Sequence, residues 1–206
     1  MSNIATKSVN DLDLFLKLVD SHRIPRFEPF DGLQYGPFTV LGPSVEFYEE
    51  RLASTDYQSI QAAILTKSIE EEEGDLDDNN QTSSINSTST VIQVIDGNRR
   101  YLFTGDAGVQ ALDDARRRND FSDIFWLDVP HHGARANLSH AIVEYLSPTY
   151  AFISAAGTTK HPHRTVINAL KSAGATVYST QDGRNIWYHS GTGIPNRPGY
   201  TDANPL

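Results

Sequence analysis

The distribution of apolar and polar positions changes character at Val91. From there to residue 188, short apolar runs rich in β-branched and aromatic residues alternate with stretches in which apolar residues recur at helical spacing. The runs predict strands at 91–95, 99–103, 124–129, 150–154, 176–179 and 185–188, and the spacing predicts helices at 110–118, 138–146 and 165–172. Asp96-Gly97 predicts a hairpin turn, and a turn at 181–183 is predicted to join the last two strands. This alternation predicts an α/β architecture with a mixed sheet.

The first 90 residues carry a weaker pattern. A helix is predicted at 12–19 with Asn10 as its N-cap, because the apolar residues there fall on one helical face. A short strand is predicted at 38–41, followed by a helix that Ser44 caps. Helical spacing also predicts a helix at 57–69.

Two stretches are predicted to lie outside the packed part of the chain. Residues 70–88 are acidic and then rich in Ser, Thr and Asn, a composition that buries little apolar surface, so we predict a disordered insertion. Residues 191–206 contain Pro195 and Pro198 and are predicted to form an irregular tail. The expected organisation is therefore a single domain over residues 1–190.

Composition limits the chemistry that is open to the chain. Its 206 residues include no Cys, so a metal could be held only by His, Asp or Glu, which favours zinc, manganese or iron in sites of nitrogen and oxygen ligands. A formal net charge of -9 disfavours broad electrostatic attachment to nucleic acid or to an anionic membrane. Because no apolar run could span a bilayer and the first residues lack the apolar core of a signal peptide, we expect a cytoplasmic protein that does not engage a membrane.

Residues suited to metal or proton chemistry follow three successive predicted strands. Asp106 comes after the second strand, His131-His132 after the third, and His161 after the fourth. Open α/β sheets place their chemistry at strand ends, so these side chains are expected on one rim. Asp106 alone could instead cap the next helix. Of the adjacent imidazoles, one is an obvious ligand and the other a candidate for orienting groups or shuttling protons.

The remaining histidines have simpler expected roles. His163 stands at the start of a predicted helix, as a cap or as a group behind the metal ligands. His22, His140 and His189 occur in no such context and are expected to be structural or surface residues.

The three motifs, in this order and at these distances, resemble those of the metallo-β-lactamase-fold hydrolases. They read Leu102-Phe103-Thr104-Gly105-Asp106, Val129-Pro130-His131-His132-Gly133 and His161-Pro162-His163. The subgroup that they resemble most closely includes the hydrolase-like C-terminal domain of the bacterial competence (DNA-uptake) channel protein. The resemblance covers most of the chain from Thr88 to Tyr188.

The resemblance implies an αββα sandwich of two similar halves, with one or two zinc or manganese ions at the shared edge. Asp106 would be the carboxylate that bridges two metals, and His132 or His131 would be a ligand of the second metal. His161 would be a ligand or a catalytic group that contacts the substrate phosphate or the leaving group, and His131 is the other catalytic candidate. The implied reaction is metal-dependent hydrolysis of a phosphodiester or another ester, with nucleic acid or a nucleotide as the candidate substrate.

One departure from the family limits this expectation. The first-half signature His-x-His-x-Asp-His is absent, and no His lies between His22 and His131. We therefore expect the C-terminal half of the fold with an incomplete first half, metal held weakly by this chain alone, and an apolar sheet face covered by a complementing segment or a homo-oligomer. The alternative function is a catalytically inactive interaction domain of the same fold.

Overall fold

The computed structural model describes residues 3–54, 76, 82–155, 161–180, 187–189, 200–202 and 205–206. Its helices are α1 Asn3–Ser21, α2 Val45–Ala53, α3 Ser84–Ser87, α4 Val109–Arg118, α5 His140–Leu146 and α6 Arg164–Ser172. Its strands are β1 Gln34–Tyr35, β2 Phe38–Gly42, β3 Val91–Asp96, β4 Arg99–Phe103, β5 Trp126–Asp128, β6 Tyr150–Ile153, β7 Thr176–Ser179, β8 Trp187–His189 and β9 Tyr200–Asp202. Short 3₁₀ turns cover Pro130–Gly133 and Arg135–Asn137. None of the described helices is long and apolar enough to span a bilayer.

Seven strands form one sheet in which sequence order and spatial order coincide. Strands β1 to β4 pair antiparallel, and β4 to β7 pair parallel. Each parallel connection passes through one of the helices α4, α5 and α6. Because crossovers of the same hand that advance in the same direction lie on the same side, these helices belong to one face of the sheet. The predicted α/β class with a mixed sheet is confirmed.

Register separates the sheet into a core face and a second face. Leu102, Leu127, Ala151 and Val177 are aligned across four strands and are at most 1% exposed. They pack in one apolar cluster with side chains of α4, α5 and α6. The alternate positions point the other way and carry six aromatic side chains, which together define what we call the open face: Tyr101, Phe103, Trp126, Tyr150, Phe152 and Tyr178.

Ser44 joins the first part of the chain to this core. Its hydroxyl oxygen accepts a hydrogen bond of 3.1 Å from the Phe47 amide, which caps α2 as predicted. The same hydroxyl donates to Asp114 of α4 at 3.1 Å. The cap therefore also fixes α2 against the helix that follows β4.

Several boundaries and pairings differ from the sequence prediction. Helix α1 begins at Asn3, so Asn10 lies inside it and is not its N-cap. The turn predicted at 181–183 lies outside the described residues. The two strands that it was predicted to join do not pair with each other in the described part of the chain: β7 pairs with β6, and β8 pairs parallel with β9 in a separate two-stranded sheet. Strand β9 also lies in the stretch predicted to be an irregular tail.

The stretch predicted as a disordered insertion is described only in part. The predicted helix at 57–69 and most of residues 70–88 lie outside the described residues. Within 82–88, however, Ser84–Ser87 form helix α3, whose first turn is capped by the hydroxyl of Ser83. Ser83 thereby satisfies one of the amides at the start of the short helix.

Candidate functional site

The ends of β4 and β5 are joined by hydrogen bonds at the edge where the predicted site residues lie. The Thr104 hydroxyl donates to the backbone oxygen of Asp128 at 2.7 Å, and the His131 amide donates to the Gly105 oxygen at 3.0 Å. Gly105 has φ of +54°, a left-handed value that glycine adopts at little cost, and the chain turns there toward Asp106. The structure thus brings Asp106 and the two histidines to one edge.

The Asp106 carboxylate does not cap the following helix. The N-cap of α4 is Gly108, which has no side chain to bond the first turn of that helix. Asp106 instead uses its backbone amide, which donates to the Ser89 hydroxyl at 3.3 Å. The carboxylate is half-buried and is not used by the helix terminus. The alternative of a simple capping residue therefore does not describe this position.

His131 and His132 occupy a strained turn. Their φ values are +48° and +59°, and Gly133 follows at +76°. Left-handed backbone costs a non-glycine residue roughly 1–2 kcal/mol. Neighbouring elements hold the turn, since the His163 amide donates to the Gly133 oxygen at 3.0 Å. Two adjacent strained histidines at a strand end are typical of functional sites, where surrounding structure compensates the cost.

The tautomer of His132 follows from one contact. Its Nδ1 lies 2.5 Å from the backbone oxygen of Ser154, which can only accept a hydrogen bond. The proton is therefore on Nδ1, and Nε2 carries a lone pair. A ring that donates from one nitrogen to a carbonyl and presents the other is the usual arrangement of a metal-ligating histidine. The His132 side chain is exposed, so a ligand can reach it.

Asn137 sets the tautomer of His131. Its Nδ2 donates to the backbone oxygens of Asp106 at 2.8 Å and Ala107 at 3.2 Å, which fixes the orientation of the amide. Its Oδ1 lies 3.1 Å from His131 Nδ1 and accepts the proton from that nitrogen. The lone pair is then on Nε2. A contact of 3.2 Å from Asn86 Nδ2 to the same Nδ1 requires the opposite protonation, so the two contacts are alternatives.

His161 completes a triangle of imidazole rings. Its ring centroid lies 5.9 Å from that of His131 and 6.5 Å from that of His132, and the two latter centroids are 6.1 Å apart. His163 has a different role, because its Nδ1 accepts a hydrogen bond of 3.3 Å from the Thr165 amide as the N-cap of α6. Of the His-Pro-His motif, only the first imidazole faces the other two rings.

Asp128 is a further carboxylate of this edge, which sequence reasoning left without a role. Burial raises its pKa to about 6 from the ordinary 3.8, while His132 lowers it and Asp106 raises it. Its interaction with both residues places it in the same electrostatic cluster. The sequence feature that could have predicted a site role for Asp128 is its position at the end of the strand that leads to the His-His motif. A single acidic residue at a strand end, however, does not by itself indicate a functional site.

Asn137 was also missed by sequence reasoning. It is 1% exposed and connects the Asp106 loop with His131. Asparagine in a polar loop ordinarily indicates a turn, and its contacts across 31 and 6 residues of chain have no local pattern.

The imidazole and carboxylate groups at this edge are of the types that bind metal ions, but the three rings are too far apart to share one ion as they are placed. His132 presents an Nε2 lone pair, and His131 does so when its Nδ1 donates to Asn137. With the carboxylates of Asp106 and Asp128, these are ligands that zinc and manganese accept. A metal about 2 Å from one nitrogen of each of three rings would bring the centroids to roughly 5 to 5.5 Å from one another, so the rings would have to move inward. As placed, no three His, Asp or Glu side chains among the described residues are grouped closely enough to hold a metal.

The three histidines expected to be structural or surface residues follow α1, begin α5 and end β8. His22 Nδ1 is 2.9 Å from the Leu18 oxygen at the end of α1. His140 is exposed in the first turn of α5, and His189 is in β8.

No protein-family model, no curated protein and no solved structure matches this chain.

Proposed function

We propose that the chain is a metal-dependent hydrolase domain of the metallo-β-lactamase fold, active on phosphodiesters once its first-half ligands are supplied. The observation that carries the proposal is the meeting of Asp106, His131, His132 and His161 at the ends of successive strands. Asp128 adds a carboxylate to the same cluster. A cluster of imidazoles and carboxylates at the carboxyl edge of a parallel sheet is the donor set of a hydrolytic metal site.

The described contacts support distinct roles for these residues. Asp106 and His132 would hold Zn²⁺ or Mn²⁺, and His131 would be a further ligand or a catalytic group. A bound ion would supply Lewis acidity and an activated water. His161, the third ring of the triangle, would contact the substrate phosphate or protonate the leaving oxygen. Nucleic acid or a nucleotide is the proposed substrate class.

The open face supports the idea of an incomplete sandwich. A sheet that carries apolar side chains on both faces needs cover on both, and the proposed αββα architecture would provide it with a second sheet. In that arrangement the ligands of the missing His-x-His-x-Asp-His motif would come from the element that covers the open face. The metal affinity of this chain alone would be low, because two or three protein ligands leave the ion poorly enclosed.

Calorimetric titration of Zn²⁺ and Mn²⁺ into the chain tests the proposal. We expect weak binding that Asp106→Asn and His132→Gln each reduce by about tenfold or more, since each removes a ligand. His22→Gln, which changes an exposed imidazole at the end of α1, is the matched control and should bind as the parent does. Absence of binding at millimolar metal would contradict the proposal. Tight binding of two ions would contradict the expectation that this chain lacks the ligands of the first half.

A catalytically inactive interaction domain is the second candidate. This candidate is favoured because the three rings are farther apart than rings that share one metal ion, and because the first-half motif is absent from the sequence. It predicts a folded chain that binds no metal. In that case alanine at Asp106 and His132 would leave the cellular role of the protein intact, and a loss of that role would exclude it.

A further inference from the structure

Two asparagine side chains from different parts of the chain meet at one nitrogen of His131. Asn137 Oδ1 lies 3.1 Å from His131 Nδ1, and Asn86 Nδ2 lies 3.2 Å from the same atom. A nitrogen of a neutral imidazole carries either a proton or a lone pair, so it cannot donate to one amide and accept from the other at the same time. One of the two amides must therefore present its other end to the ring.

The surroundings of Asn137 fix its amide. Its Nδ2 donates to the backbone oxygens of Asp106 at 2.8 Å and Ala107 at 3.2 Å. Both partners can only accept a hydrogen bond, so an amide turned over would place its own oxygen against two oxygens. Asn137 is 1% exposed, and solvent could not replace the lost bonds. Asn137 therefore offers His131 an acceptor.

The contacts of Asn86 leave its amide free to turn over. The other contact described for this side chain is a long one, 3.4 Å from Nδ2 to Thr82 Oγ1. A threonine hydroxyl both donates and accepts, so it can bond either end of the amide. Asn86 is also half-buried, which leaves part of it accessible to water. A rotation of the amide by half a turn therefore brings Oδ1 to the ring with little loss of hydrogen bonding.

The segment that carries Asn86 is held on both sides by the loop that follows β4. After Asn86, the Ser89 hydroxyl accepts a hydrogen bond of 3.3 Å from the Asp106 amide. Before it, Thr82 packs against Gly108, where an added Cβ would lie 2.5 Å from Thr82 Cγ2. The position of Asn86 beside the imidazole is thus set by contacts on either side of it in the chain.

We propose that Asn86 is a positioning residue of the candidate site, which turns its Oδ1 to His131 and, with Asn137, holds the ring in the tautomer that has its proton on Nδ1. Two acceptors then share one N–H in a three-centre hydrogen bond. They fix the tautomer and the plane of the ring together. The lone pair is left on Nε2, on the side of the ring away from both amides.

Within the proposed function, on which this step rests, the tautomer narrows the role of His131. A neutral ring with its proton on Nδ1 can bind a metal ion or accept a proton through Nε2, but it cannot donate a proton from that atom. The same holds for His132, whose Nδ1 donates to the Ser154 oxygen at 2.5 Å. The two adjacent rings are then two ligands, or a ligand and a base, and protonation of the leaving oxygen falls to His161.

The tautomer can be measured without metal or substrate by long-range proton–nitrogen NMR of isotope-labelled histidine. At about pH 8.5, where imidazole is neutral, the spectrum distinguishes a protonated from an unprotonated ring nitrogen. His131→Gln assigns the signals of this ring by their loss. We expect the parent chain to carry the His131 proton on Nδ1. An unprotonated Nδ1 in the parent chain would overturn the proposal, and this result requires no variant of Asn86.

Variants of Asn86 test its part in holding the ring. Asn86→Ala should shift the tautomer ratio about fivefold toward the form with its proton on Nε2, because one of two acceptors is lost. Asn86→Asp, which keeps an acceptor, should retain the parent tautomer. Ile85→Ala is the matched control, since Ile85 is in the same short helix but is 56% exposed. If Asn86→Ala does not fold, Asn86→Ser, whose side chain is one bond shorter, replaces it.

Calorimetry with Zn²⁺ gives a second measurement on the same variants. Asn86→Ala should weaken binding about tenfold, as loss of a group that orients a metal-ligating histidine does, and Ile85→Ala should not. An Asn86→Ala chain with the tautomer ratio of the parent would overturn the proposal. A His131 proton on Nδ1 that depends on Asn86, in a chain that binds no Zn²⁺, would support the positioning of the ring and contradict the proposed hydrolase function.

Discussion

Asn137 Nδ2 donates a hydrogen bond of 2.8 Å to the backbone oxygen of Asp106, although 31 residues separate the two in sequence. The same amide accepts the Nδ1 proton of His131 through its Oδ1. One buried side chain thus fixes the loop after β4 relative to the turn after β5. Two of the candidate site residues are therefore positioned by a residue that itself has no ligand role.

Replacement of Asn137 by Ala should destabilise the fold by about 2–3 kcal/mol, because buried carbonyl oxygens of the Asp106 loop lose their donor. Urea unfolding followed by circular dichroism measures the change. Asn168→Ala, at an exposed position of α6, should cost less than about 0.5 kcal/mol. Equal effects of the two substitutions would show that the Asn137 contacts contribute nothing specific.

Asp128 should make the metal-free chain less stable as pH rises. Its folded-state pKa of about 6 exceeds the ordinary 3.8, so the folded state binds more protons than the unfolded state between these values. Stability should therefore fall as pH increases from about 4 to 6 and then remain lower. Asp128→Asn should remove this fall and stabilise the chain by about 1–2 kcal/mol at pH 7, after allowance for partial solvent screening.

Urea midpoints measured at intervals between pH 4 and pH 7 test this expectation. Asp123→Asn, an exposed acidic residue in the loop before β5, is the control and should follow the parent profile. A parent profile that rises through pH 6, or an Asp128→Asn profile identical to it, would show that Asp128 is not the group responsible.

Gly133 should tolerate no side chain. Its φ is +76°, and an added Cβ would lie 3.0 Å from Pro162 Cβ and 3.3 Å from Ile153 Cγ2. Gly133→Ala should cost about 2–4 kcal/mol, from the left-handed backbone and the crowding together. Gly97→Ala separates the two causes, since Gly97 also has positive φ but nothing within 4 Å of the added Cβ. It should cost only about 1 kcal/mol in the same thermal or urea unfolding experiment.

His161 and His163 form a natural pair for testing catalysis. Residual hydrolysis of bis(p-nitrophenyl) phosphate at saturating Mn²⁺ should fall about 100-fold in His161→Gln, because that ring faces the cluster. His163→Asn should keep its activity, since Asn is an equally good N-cap for α6. If both variants retain the rate of the parent chain, the hydrolysis does not occur at this edge.

The sequence was informative where local rules decide structure. The alternation after Val91 predicted β3 to β7 and the helices between them, and the strand-end rule placed Asp106 near His131. Both inferences rest on periodicity and on the geometry of parallel connections, which depend little on distant contacts.

Other features depended on information that local patterns do not contain. The left-handed backbone of His131 and His132 follows from the elements that hold the turn, not from any preference of histidine. Helix α1 extends back to Asn3 because its first residues include neither Pro nor Gly. Asn10 therefore lies within the helix and does not cap its N-terminus. The partner of β8 could not be read from its own residues, because strand pairing is a tertiary choice.

The order of the strands has a consequence for folding and for local unfolding of the sheet. Every strand of the large sheet is paired with its sequence neighbours, so no strand has to be threaded between two that are already paired. Formation of the sheet can start at the β3–β4 hairpin and add strands on both sides. Unfolding can begin at the edge strands β1 and β7 and proceed inward. Strands β4, β5 and β6, which carry the site, lie toward the interior of this series. Their amides should be the slowest to exchange, and the histidine edge should remain assembled when the outer strands open.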